Sequence, residues 1–182
     1  MPDDPSPDET LRYPVGPWPI DEPLTDEMVS AGLFEIAALP ARLAGAVAGL
    51  TDVQLDTPYR PAGWTVRQVV HHLADSHMNA YVRIRLALTA HHPAIVAYDE
   101  SAWAELPDAR TLPVTVSLAL LEAMHARWTA LLGTLDRERL RSSAYRHPEL
   151  GPVSVERAVA IYAWHGRHHV AHVTALRERN GW

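Results

Sequence analysis

The stretch from Val153 to Arg179 constrains the fold more than any other part of the chain. Ser154 is a good N-cap, and Val155 starts a helical pattern. Positions 155, 158, 162, 165, 169, 172 and 176 advance by threes and fours, so they form one stripe on a helix. The stripe reads Val, Ala, Tyr, His, His, His, Leu. Imidazoles therefore stand where a bundle helix would carry Leu or Val. His165 and His169 lie one turn apart and point the same way, a geometry that lets two imidazoles bind one divalent metal.

A helix of this kind needs partners to cover it, and three other segments have the matching pattern. Leu24 to Leu50 carries the stripe Val29, Leu33, Ile36, Leu43, Val47, Leu50, with Thr25 or Asp26 as cap. Pro40 sits inside it and is expected to kink or break it. Thr65 caps a long helix to about residue 90, and a third helix runs from Val114 to about Leu135. Residues 51–64, 91–113 and 141–153 read as long Pro- and Gly-containing connections, and 136–140 as an added turn. No segment alternates strongly enough for a strand. The expected fold is an all-α four-helix bundle with long crossover loops. Residues 1–23 hold seven prolines and read as an extended arm ahead of a single domain spanning 24–182.

Composition narrows the function classes. The net charge of −6 argues against a broad phosphate-binding surface, so no nucleic-acid partner is expected. No long uninterrupted apolar run suggests a membrane span, and the acidic N-terminus is unlike a signal peptide, so a cytoplasmic location is expected. There is no cysteine, which removes thiolate metal sites and cysteine nucleophiles. Histidine is the biased residue, with eleven copies.

The second helix offers a third ligand. His72 lies on a largely polar stripe with Thr65, Val69, Ser76, Asn79 and Arg83, the pattern of a cavity wall. His72, His165 and His169 meeting across the bundle would leave a coordination position open on zinc or a similar metal. A water bound there would have a pKa near about 7 and would be a usable nucleophile. Asp75, Ser76, Asn79, Tyr162 and Glu122 are candidates to orient the rings, and Asp75 is also a candidate general base. A rival ligand set is His168, His172 and His77. His77 and His125 read as hydrogen-bonded core residues, His71 and His168 as helix flanks, and His91 and His92 as loop residues. Trp64, Trp128 and Trp164 read as packing, and Arg83 and Arg85 as solvated charge.

The segments Arg12-Tyr13-Pro14-Val15-Gly16, Tyr59 to Asn79, Tyr98-Asp99-Glu100, Trp103 to Leu106, Leu121 to Leu132 and Trp164 to His169 resemble the YfiT branch of the DinB-like superfamily. The resemblance spans nearly the whole chain and implies an up-down-down-up bundle that forms homodimers. It implies one divalent metal, zinc or nickel, on three His that fall here on His72, His165 and His169. It also implies a metal-dependent hydrolase acting on a small molecule. Related members imply an alternative, an S-transferase joining a low-molecular-weight thiol to an electrophile. A metal-binding stress protein without turnover is a third reading.

Overall fold

The computed structural model describes residues 7–18 and 23–182. Residues 1–6 and 19–22 of the expected arm lie outside the described residues. The elements in order are α1 (Pro7–Arg12), α2 (Asp26–Val47), α3 (Asp52–Leu55), α4 (Val66–Thr89), α5 (Glu100–Ala104), α6 (Pro107–Thr111), α7 (Val114–Leu132), α8 (Arg137–Ser142), β1 (Ala144–His147), β2 (Gly151–Ser154) and α9 (Val155–Asn180). The four long helices α2, α4, α7 and α9 are those expected from the stripes. Their starts follow local chemistry. Thr25, Thr65 and Ser154 each accept a backbone N–H three residues on, and Thr65 with Gln68 forms a complete capping box.

Polar contacts at the two ends of the bundle fix the direction of each helix. Asp26, at the start of α2, pairs with Arg137 and Arg141, and Arg141 also pairs with Glu156 at the start of α9. At the other end Arg177 of α9 donates to the Ala46 carbonyl near the end of α2. So α2 and α9 run parallel. Arg179, at the end of α9, donates to the Tyr59 carbonyl just before α4, and Arg139 donates to Leu88 at the end of α4. So α4 runs the opposite way. Arg67 and His71 of the first turns of α4 reach Leu112 and Ser117 at the start of α7, which therefore runs with α4. The order is up-down-down-up, and α4 packs on α7 and α9 while α2 packs on the same two helices.

The core is in two pieces. One holds Ile36, Ala80, Ile84, Trp128, Val155 and Tyr162; the other holds Leu39, Leu43, Val69, Leu73, Leu121 and Val173. Along each helix, the boundary between the pieces falls at the same level. His77 lies between Leu73 and Ala80, His125 between Leu121 and Trp128, and His165 and His169 between Tyr162 and Val173. A layer of imidazoles thus divides the apolar interior. All of them are pushed toward the neutral form by burial, which is the only form such an interior tolerates cheaply.

Three expectations need correction. A short antiparallel hairpin, β1–β2, pairs Ala144 with Ser154 and Arg146 with Pro152. Its strands are four residues long and contain Pro152, so no alternation marks them in the sequence. The arm is not wholly extended, because Pro7–Arg12 is helical. Pro40 does not break α2, which is continuous from Asp26 to Val47. The carbonyl that proline leaves without its usual helical donor is that of Ile36. His125 Nδ1 takes its place at 2.7 Å. By length and a mean hydropathy of 1.3 over its best window, α2 could cross a bilayer. Here Val29, Ile36, Leu39 and Leu43 are buried in the bundle, and the Glu35–Arg42 ion pair lies at the margin of that face, beside α9.

Candidate metal centre

The trio expected from stripe geometry is assembled. His72 of α4 and His165 and His169 of α9 each present a ring nitrogen, and these atoms lie within 4.8 Å of one another. His72 Nε2 and His165 Nε2 are 3.1 Å apart. Two nitrogens at 2.0–2.1 Å from one tetrahedral ion would be roughly 3.3–3.4 Å apart. The donor set is three neutral imidazoles, suited to zinc, nickel and similar ions. Burial lowers His72 to about 4 and lowers His165 and His169 as well, so the three rings are neutral near pH 7 and each keeps one nitrogen lone pair. One lone pair on each of three converging rings is what a shared cation would need. The residues fit the group.

The trio forms the floor of a cleft of about 470 Å³. Its walls are Tyr59, Trp64 and Trp164, with Arg12, Arg60 and Glu100 also lining it. The Trp64 ring lies 4.6 Å from that of His72, and Tyr59 stacks on His172 at 3.9 Å. The arm closes one side. Trp164 Nε1 donates to Gly16 O, and His172 Nε2 donates to Arg12 O. His165 keeps partial exposure, so the site opens to solvent through the cleft.

Further imidazoles surround the trio. His77 Nε2 is 3.3 Å from His165 Nδ1, and His77 Nδ1 is 3.1 Å from His125 Nε2. His172 Nδ1 is 3.4 Å from His169 Nδ1. The rival set is therefore not assembled as a set. His168 and His172 group with His169, whereas His77 points at His165 and His125.

Several expected roles change. Asp75 is half-buried, raised to about 6 by burial and then by the Asp108 charge, and does not line the cleft. None of the three ligand imidazoles has Asp75 among the groups shifting it. Glu100 is the carboxylate that faces the cleft, and burial raises it. It sits in a short helix inside a long loop, where no period singles it out. Glu122 lies on another face, in a groove of about 570 Å³ between α2 and α7. Asn79 donates to the Asp75 carbonyl rather than to a ring. Ser76 is buried and Tyr162 packs edge-on against His165 and His77. His71 and His168 are buried, not flanking, and His71 bridges Ser117 and Leu112. Arg83 is buried too, donating to Tyr162 Oη and Val96 O. Trp128 is core, but Trp64 and Trp164 are walls of the cleft.

The fold and the site together define a four-helix bundle with a three-imidazole centre at the base of an open cleft. The chain belongs to the DinB superfamily, which matches residues 35–173. It is 52% identical over 172 residues to a Bacillus cereus (strain 03BB102) protein provisionally named a metal-dependent hydrolase. The match covers 94% of this chain and 98% of that one. A Bacillus anthracis (strain A0248) protein with the same name shows the same identity and coverage. YfiT from Bacillus subtilis, described as "a probable metal-dependent hydrolase with an unusual four-helix bundle topology", superposes with a TM-score of 0.90 at 48% identity. That match covers 95% of this chain and 99% of YfiT. The four-helix bundle protein TT2238 superposes with a TM-score of 0.56 at 18% identity, over 81% of this chain and 98% of that one, a likeness of fold alone.

Proposed function

We propose that this chain is a metal-dependent hydrolase with one divalent ion, zinc before nickel, held by His72, His165 and His169. The observation that supports it most is the convergence of three neutral imidazole nitrogens on one point at the base of the cleft. A bound ion there would act as a Lewis acid and lower the pKa of a water. The chain's own residues do the rest. Trp64 and Tyr59 restrict the approach to the trio, and the arm narrows the mouth through its bonds to Trp164 and His172. Glu100 faces the cleft with a raised pKa, so it is suited to take up a proton from an incoming nucleophile. Asp75, on α4 but outside the cleft lining, is the more remote base. The same centre would serve in a cytoplasmic homodimer as in a monomer.

A second reading follows from the cations at the cleft. Arg12 and Arg60 line it, within a volume of about 470 Å³. An anionic low-molecular-weight thiol would find charge complementarity there, giving a thiol S-transferase. The test uses untagged protein stripped by chelator and reloaded with zinc, beside His169→Ala. Hydrolysis of esters or amides that needs zinc and His169 but no thiol supports the hydrolase. Product formed from an alkyl halide only when thiol is added supports the transferase. Equal rates for wild type and His169→Ala would overturn both.

A further inference from the structure

Three of the buried imidazoles outside the trio, His77, His125 and His172, extend it into two chains, and each chain ends on a backbone carbonyl. A carbonyl oxygen only accepts, so the ring nitrogen facing it must carry the proton. His125 Nδ1 faces Ile36 O at 2.7 Å and therefore donates. Its ring is neutral, so its Nε2 has a lone pair, which accepts from His77 Nδ1 at 3.1 Å. His77 Nε2 is then the acceptor, and His165 Nδ1 donates to it at 3.3 Å. That leaves His165 Nε2 without a proton, and this is the atom that faces His72 Nε2. The second chain obeys the same logic. His172 Nε2 donates to Arg12 O at 3.1 Å, so His172 Nδ1 accepts from His169 Nδ1 at 3.4 Å. His169 Nε2 is left without a proton.

We propose that His125, His77 and His172 are positioning residues whose hydrogen-bonded chains, anchored on the Ile36 and Arg12 carbonyls, hold the Nε2 atoms of His165 and His169 as free donors to one cation. The proposal rests on the trio reading above and goes beyond it. It gives Pro40 a purpose. In a helix without that proline, the residue-40 N–H would compete with His125 for Ile36 O, the anchor of the longer chain. Metal-ligating histidines commonly lean on a carboxylate or carbonyl through their other nitrogen. Here the link to the carbonyl is relayed through one or two more imidazoles.

The test measures zinc affinity of the untagged full chain by competition with a chromophoric chelator. His77→Leu and His125→Leu should each weaken zinc by roughly 10- to 100-fold, the usual effect of losing such support. The decisive variant is Pro40→Ala/His125→Leu. Its restored N–H gives Ile36 O a partner, so thermal stability should recover relative to His125→Leu while zinc affinity stays low. Affinity that returns together with stability would overturn the proposal, since the effect would then be one of packing. Wild type that binds zinc, with His77→Leu binding it equally well, sinks the chains and spares the trio. Wild type that binds no zinc sinks the trio and with it the chains. In metal-free protein, ¹⁵N-resolved ring spectra should show Nδ1–H forms for His125, His77, His165 and His169 and an Nε2–H form for His172. A proton on Nε2 of His77 or His125 contradicts the relay whatever the metal data show.

Discussion

Acidification of the metal-free protein should unfold it steeply. Burial lowers His72, His168 and His172 to about 4. His77, His165 and His169 are lowered too, by burial first and then by neighbouring imidazoles. In the unfolded chain the same rings take up a proton near about 6.5. Below that pH the unfolded state binds more protons than the folded one, so stability falls as pH falls. The fall continues until the folded rings protonate, near pH 4 for the first three. Each ring contributes up to about 1.4 kcal/mol per pH unit inside the window. His72, His168 and His172 alone give a slope of roughly 3–4 kcal/mol per unit around pH 5. A domain whose stability is about 5–15 kcal/mol would lose a large part of it within about two units. Urea unfolding of chelator-treated protein at pH 7.5, 6.5 and 5.5, followed by tryptophan fluorescence, measures this. The midpoint should drop progressively at constant m-value. A midpoint that does not move between pH 7.5 and 5.5 would refute the claim that these imidazoles are buried and neutral. Zinc at about 100 times its Kd should restore about 2.7 kcal/mol and shift the acid transition downward.

Other substitutions probe the frame around the site. Arg67→Leu removes a buried guanidinium that binds Asp52, Asp56 and the Leu112 carbonyl, and should cost about 1–3 kcal/mol in urea unfolding. Trp128→Ala empties a fully buried site between the imidazole layer and one half of the core, and should cost about 3–5 kcal/mol. Thr65→Ala deletes half of the capping box that starts α4 and should cost about 1 kcal/mol by the same assay, with zinc stoichiometry unchanged.

The helices and the trio were legible because both are set by local rules. Ser154 and Thr65 mark their own helix starts, and spacings of three and four place His165 and His169 on one face whatever packs against them. His72 was legible because its stripe is polar beside an apolar one. What the sequence hid depends on partners distant in the chain. Arg83 looks like surface charge until Tyr162 and the Val96 carbonyl are seen around it. His71 reads as a flank because Ser117, its partner, is 46 residues away. Asp75 lies one turn from His71 and His72 in sequence, yet the side of α4 it occupies turns it away from the cleft. Glu100 is the reverse case, a loop residue delivered to the cleft by a connection without periodicity. Pro40 reads as a helix breaker until His125 supplies the missing donor from another helix.

The central claim is that one cation is shared by imidazoles of α4 and α9. Crystals of the untagged, zinc-loaded protein, measured at the zinc absorption edge, test it most directly. A single anomalous peak within about 2.0–2.1 Å of Nε2 of His72, His165 and His169 is the predicted result. A peak centred between His168 and His172, or no peak at the trio in protein shown to contain zinc, would contradict it.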